Sequence, residues 1–251
     1  MPAAPNRSTL SPGPLSLVTL AERLRDAIDV LPFGPPVACT YNPLQYAWAP
    51  HRLYLERYGA GRKRVVFMGM NPGPYGMTQT GVPFGEVAAV RDWLGIHAPV
   101  GRPRCEHPKR PITGFACTRS EVSGRRLWGL FAARFGRPEV FFDEHFVLNF
   151  CPLVWMSESG ANLTPDKLPA QNQAAVRELC EQSLRQALDL LAPAFVVGIG
   201  AYAAQRLAAV TTQADPWRVT QILHPSPASP AANRDWAGAA TRGLEAAGVW
   251  A

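Results

Sequence analysis

Cysteine is scarce in this chain, five in 251 residues, and no two stand close enough to form a C-x-x-C pair. That argues against a structural zinc site or an iron–sulfur cluster, both of which want closely spaced ligands. An odd count with no secretory signal points instead to free thiols and a reducing compartment. Long apolar runs are missing too, so no segment reads as a membrane span. Acidic residues are in the minority, 19 against 25 Lys and Arg, giving a formal net charge of +6. An excess of positive charge suits a polyanionic partner. There is no internal repeat and no marked composition shift. Residues 1–15 are rich in Pro, Ala and Ser, which predicts a flexible tail, and residues 16–251 read as a single domain.

What is present is more telling. Between Val100 and Arg126 seven basic residues (Arg102, Arg104, Lys109, Arg110, Arg119, Arg125, Arg126) face only Glu106 and Glu121. The stretch is rich in Pro and Gly and reads as a long phosphate-contacting loop running into a helix near Ser123. Short apolar runs predict strands at about Val65 to Met70, Phe146 to Phe150, Ala194 to Ile199 and Arg218 to Leu223. Helical spacing is clearest from Ala170 to Leu191. Further helices are predicted near Leu17 to Leu31, Glu86 to Leu94, Ser123 to Phe135, Ala201 to Val210 and Asn233 to Ala247. Alternation of this kind implies a three-layer α/β/α sandwich around a central, mainly parallel four-stranded sheet.

In such sheets ligands bind beyond the carboxyl ends of the strands. Three polar side chains fall there: Asn71, Asn149 and His224. Asn71 follows a buried strand and opens Asn71-Pro72-Gly73-Pro74-Tyr75-Gly76-Met77, whose prolines and glycines force a sharp turn. His224-Pro225-Ser226-Pro227 is a second rigid turn, and the small Ser226 would let a phosphate backbone come close. Gly198-Ile199-Gly200-Ala201-Tyr202-Ala203 matches G-x-G-x-x-A, a dinucleotide signature. It comes late in the chain and lacks a well-placed ribose-binding acid, so it reads as a tight turn, with a nucleotide-binding α/β enzyme as the competing interpretation.

The run from Met70 through Pro83-Phe84-Gly85 to Glu86 resembles the first motif of the single-strand-selective monofunctional uracil-DNA glycosylases, family three of the uracil-DNA glycosylase superfamily. His224-Pro225-Ser226-Pro227, with Asn233 and Trp236, resembles the second. Tyr41-Asn42-Pro43, Glu106-His107-Pro108-Lys109-Arg110-Pro111, Ser120-Glu121-Val122-Ser123-Gly124 and Asn149-Phe150-Cys151-Pro152-Leu153 match as well, and the likeness runs from about Leu20 to the last residue.

The resemblance implies an enzyme that flips uracil out of DNA and hydrolyses its N-glycosidic bond without a cofactor or metal. It implies that Phe84 stacks on the base, that Asn149 reads its edge, and that Asn71 holds the attacking water. His224, with backbone amides around Met70, would stabilise the departing uracil anion. Gly73 and Met77 would flank the uracil C5 atom, leaving room for 5-hydroxymethyluracil and related oxidised bases. Lys109, Arg110, Ser123, Pro225, Ser226, Pro227, Ala228 and Asn233 would contact single- or double-stranded DNA. Ala228 departs from the vertebrate pattern, which has an Arg there, and so weakens the wedge expected from Ala228 to Trp236. Neither motif carries a lysine nucleophile, which implies an abasic product left uncut. A monomer is expected, cytoplasmic in a bacterium, as the high Ala, Pro and Arg content suggests, or nuclear in a eukaryote. Excision of a deaminated purine such as hypoxanthine or xanthine is the alternative within the same superfamily.

Overall fold

In the computed structural model, which describes residues 15–251, the chain alternates strands and helices for most of its length. All but Leu15 of the tail predicted over residues 1–15 lies outside the described residues. In chain order the elements are α1 (Leu17–Asp29), β1 (Cys39–Tyr41), α2 (Pro43–Tyr46), α3 (Trp48–Tyr58), β2 (Val65–Gly69) and α4 (Met77–Thr80). Then come α5 (Val122–Phe135), α6 (Pro138–Glu144), β3 (His145–Asn149), β4 (Val154–Met156), β5 (Asn162–Leu163) and α7 (Ala170–Leu191). Finally β6 (Phe195–Ile199), α8 (Ala201–Val210), β7 (Arg218–Ile222) and α9 (Pro230–Ala246) complete the chain.

The central sheet has the order β3-β2-β6-β7 and is parallel throughout. Every residue of β2 is buried, as its unbroken Val-Val-Phe-Met run requires of a strand covered on both faces. Phe67 points to one layer, where Phe131 of α5 lies 5.0 Å away between ring centroids. Phe146 of β3 points to the other, stacked 5.1 Å from Tyr54 of α3. On that second face α1 packs along α7, and α8 covers β6.

The four predicted strands and most of the predicted helices are present to within a few residues. Four differences matter. The helix expected over Glu86 to Leu94 is a short π-helical turn, Ala89–Trp93. The last helix begins at Pro230, because Ser229 caps it by accepting from the Ala232 amide at 3.3 Å, rather than at Asn233. A second, antiparallel sheet, β1-β4-β5, escaped the sequence because its strands are only two or three residues long.

The fourth difference concerns the cysteines: Cys39 of β1 and Cys105 are joined in a disulfide, leaving Cys117, Cys151 and Cys180 as the free thiols. The free thiols expected of the five cysteines are therefore three. A separation of 66 residues gives no sequence signal for that pair. It forms because the basic loop folds back on β1, where the Tyr41 hydroxyl donates to the Arg110 carbonyl at 2.7 Å and accepts from the His107 amide at 2.8 Å.

Two buried histidines set the acid limit of this core. Burial lowers both His51 and His145 from 6.5 to about 4. A base with a depressed folded pKa binds fewer protons folded than unfolded, so stability is lost as pH falls from 6.5 towards 4. Each should cost on the order of 3 kcal/mol by pH 4. Denaturant unfolding at pH 7 and pH 4.5 is expected to show that loss, and His51→Gln to remove part of the pH dependence. A midpoint that stays level across this range would contradict it.

Candidate active site

Parallel register brings the ends of the strands together. Gly69 of β2 sits opposite Asn149 of β3, and the chain pairing continues past both, with the Phe150 amide on the Gly69 carbonyl and the Cys151 amide on the Met70 carbonyl, each at 2.9 Å. On the other side the Gly200 amide bonds the Ile222 carbonyl at 2.9 Å, holding the end of β6 beside the end of β7. Between them opens a cleft of about 280 Å³. Asn71, Asn149 and His224 all line it, together with Met70, Gly73, Met77, Phe84, Ser123, Ser226 and Pro227. The convergence inferred from topology is therefore present in the fold.

Each side chain is held in a definite way. The Asn71 amide donates from Nδ2 to the Leu153 carbonyl at 3.1 Å, which among the described residues leaves Oδ1 as its unbonded acceptor. Asn149 has only a weak tie, Nδ2 to the Met77 sulfur at 3.4 Å, so its amide stays available to a ligand. Phe84 is set by its backbone. Its φ of +53° is uncommon for an aromatic residue and costs on the order of 1–3 kcal/mol. The strain is absorbed by bonds to its carbonyl, from the Trp128 indole at 3.1 Å and the Glu86 amide at 2.8 Å. Gly124 of α5 allows this approach, because a Cβ there would strike the same carbonyl.

His224 faces Phe84 with ring centroids 6.1 Å apart. No protein group hydrogen-bonds its imidazole among the described residues. Burial lowers its pKa from 6.5, so at neutral pH it is an uncharged donor. Its turn is clamped from both sides. Arg126 of α5 donates to the Pro225 carbonyl at 3.1 Å, and Trp236 of α9 donates to the Leu223 carbonyl at 2.7 Å. The G-x-G-x-x-A segment serves the same end. Gly198 gives room to the Ala204 backbone of α8, while Gly200, at φ +92°, lies against the base of His224, where a Cβ would be 3.1 Å from His224 Cβ.

The residues expected to contact DNA divide into two groups. Ser123, Ser226 and Pro227 line the cleft. The others stand outside it, several with their polar groups already engaged. Arg110 donates to the Gly160 carbonyl at 3.0 Å and to the Tyr75 hydroxyl at 2.6 Å. Lys109 reaches the Ser159 carbonyl at 3.2 Å. Asn233 accepts from Arg126 at 2.9 Å and donates to the Pro227 carbonyl at 2.9 Å, bracing the His224 turn. Arg102 pairs with Glu106 and Arg104 with Asp29. Much of the basic stretch thus holds the loops around the cleft in place. Ala228 donates its amide to Ser226 Oγ at 3.2 Å, and Pro225 carries the carbonyl that Arg126 holds.

Sequence reasoning missed several residues at the site. Gly69 is one: a Cβ there would lie 2.5 Å from Phe84 Cε2 and 2.6 Å from Asn149 Oδ1. Only a bare backbone lets the ring and the amide meet over the strand end. Gly69→Ala is expected to lower activity at least about tenfold through displacement of both, with the fold retained. Steady-state kinetics with a thermal melt check this, and an unaltered kcat/KM would count against the packing argument. Asn162 of β5 and Thr164 just after it also line the cleft, and among the described residues Asn162 Oδ1 is buried without a partner. Glu121 lines it too, with its carboxylate over Gly73 and Gly76. The signal for Glu121 was its isolation as an acid within a basic stretch.

Comparison with known proteins shows the family. The Uracil DNA glycosylase superfamily matches residues 56–242. The crystal structure of wild-type Pedobacter heparinus SMUG2 superposes with a TM-score of 0.63 at 17% identity, covering 92% of this chain and 99% of that one, a likeness of fold. The chain belongs to the uracil DNA glycosylase superfamily. Within it, the chain is 49% identical over 231 residues to the single-strand selective monofunctional uracil DNA glycosylase of Mus musculus, covering 90% of this chain and 82% of the mouse protein. The protein of the same name in Bos taurus is 49% identical over 228 residues, covering 90% of this chain and 84% of its own. The branch to which the chain belongs is thus the single-strand-selective monofunctional one.

Proposed function

We propose that this protein flips uracil, and C5-oxidised uracils such as 5-hydroxymethyluracil, out of DNA and hydrolyses the N-glycosidic bond, leaving an abasic site. The observation that carries the reading is the meeting of Asn71, Phe84, Asn149 and His224 in one cleft at the sheet edge. Phe84 offers a face for the flipped pyrimidine, a contact worth about 1–3 kcal/mol. Asn149 donates to the ring O4 and accepts from N3–H. Cytosine presents the reverse pattern there and would leave buried groups unpaired.

Bond cleavage then proceeds with the C1′–N1 electron pair leaving on the base. The sugar becomes cation-like, and the negative charge spreads over the uracil ring, where neutral His224 donates a hydrogen bond to the carbonyl oxygen that gains charge. The free Oδ1 of Asn71 accepts a hydrogen bond from a water and aims its oxygen at C1′. An amide is too weak a base to remove the water's proton early, so placement is its contribution. After the new C–O bond has formed the water's proton passes to solvent, and the departed uracil anion takes one up from solvent.

The test is excision from a labelled single-stranded oligonucleotide carrying one uracil, followed by alkali. Strand cleavage only after alkali is expected, and none before it. Failure to release uracil or 5-hydroxymethyluracil from either single- or double-stranded DNA would refute the assigned reaction.

A further inference from the structure

We propose that Glu121 determines specificity at the C5 side of the pocket, its carboxylate accepting a hydrogen bond from a hydroxyl carried on the base's C5 substituent. The inference rests on the reading of the cleft as a uracil site. Where C5 points follows from Asn149. In uracil, C5 adjoins C4, so it lies on the side of the amide that donates to O4. That donor, Asn149 Nδ2, faces the Met77 sulfur at 3.4 Å. C5 therefore looks at the wall built by Met77 and the loop before it, whose turn is closed by the Thr78 hydroxyl on the Gly73 carbonyl at 2.8 Å.

Glu121 occupies that wall. A Cβ on Gly73 would come 3.0 Å from Glu121 Cδ and closer still to Oε2, and a Cβ on Gly76 would come 2.9 Å from Glu121 Cγ. The space that Gly73 leaves is thus filled by a carboxylate of this chain, and a C5 substituent meets that group rather than an empty recess. Burial raises the Glu121 carboxyl above its ordinary range, and among the described residues no cation forms a salt bridge with it. Its side chain does not cap α5, so a group that can take about four hydrogen bonds keeps acceptor capacity for a ligand. An ionised carboxylate is acceptor-only, so it favours a substituent that donates. A hydroxymethyl group does so; the methyl of thymine offers no donor and would strip water from the charge.

The test compares kcat/KM on two single-stranded oligonucleotides that differ only in carrying uracil or 5-hydroxymethyluracil, for the wild type, E121Q and E121D. Because the readout is the ratio of the two substrates, a general loss from disturbing the loop cancels. Replacing a charged acceptor with a neutral amide should lower the 5-hydroxymethyluracil-to-uracil ratio about tenfold. E121D, which keeps the charge but draws the carboxylate back by one methylene, should lower it as well. It carries the test should E121Q fail to fold. A ratio unchanged in the variants overturns the proposal, as does a wild type that excises uracil but spares 5-hydroxymethyluracil. A wild type that excises neither overturns the underlying reading of the cleft instead.

Discussion

Asn71→Ala is expected to lower uracil excision by roughly 100- to 10,000-fold, the range set by losing a well-placed group that handles the nucleophile. The alanine loses the Oδ1 acceptor that would orient water and the Nδ2 donor that fixes the turn on the Leu153 carbonyl. Single-turnover rates on a uracil oligonucleotide, with a melt to show that the fold survives, measure the first effect. Asn71→Asp separates placement from proton removal. A carboxylate would set its negative oxygen against the Leu153 carbonyl in place of an N–H donor, so the aspartate variant should not exceed the wild type at neutral pH. A markedly faster Asn71→Asp enzyme would mean that deprotonating the water limits the rate.

His224→Ala should cost about 100- to 1000-fold in kcat, or about 2.7–4 kcal/mol, the usual consequence of removing one pre-organised donor from a developing anion. Activity lost in KM with kcat preserved would assign the residue to substrate binding. The pH–rate profile gives a second check with a defined sign. Burial lowers the imidazole pKa from 6.5, so its titration lies on the acid side of that value. The wild type should therefore show no inflection from His224 at pH 6.5 or above. An inflection there that disappears in His224→Ala would require a charged imidazole in place of the neutral donor.

Much of this was legible in the chain because it depends on local pattern. The Val65–Met68 run could only be a buried strand, and the Pro and Gly residues after it could only be a turn. The rule that ligands sit beyond strand ends then brought Asn71, Asn149 and His224 to one edge, although they are separated by more than seventy residues at each step. Local pattern says less about partners. Seven cations in one stretch read as a phosphate-contacting segment, and three of them, Arg110, Arg126 and Lys109, also bond carbonyls of this chain. Net charge records how many cations exist, not which have found partners.

The sequence by itself determined the strand–turn–helix alternation, the identity of the two rigid turns and the polar groups mounted on them, since these follow from backbone restriction and hydrophobic period. Only the tertiary structure decided what meets across distance. The disulfide between Cys39 and Cys105, the need for bare backbone at Gly69, the Arg126 clamp on the His224 turn and the Glu121 carboxylate over Gly73 all depend on non-local approach. Such approach is fixed by strand register and helix packing, to which no short stretch of residues bears witness.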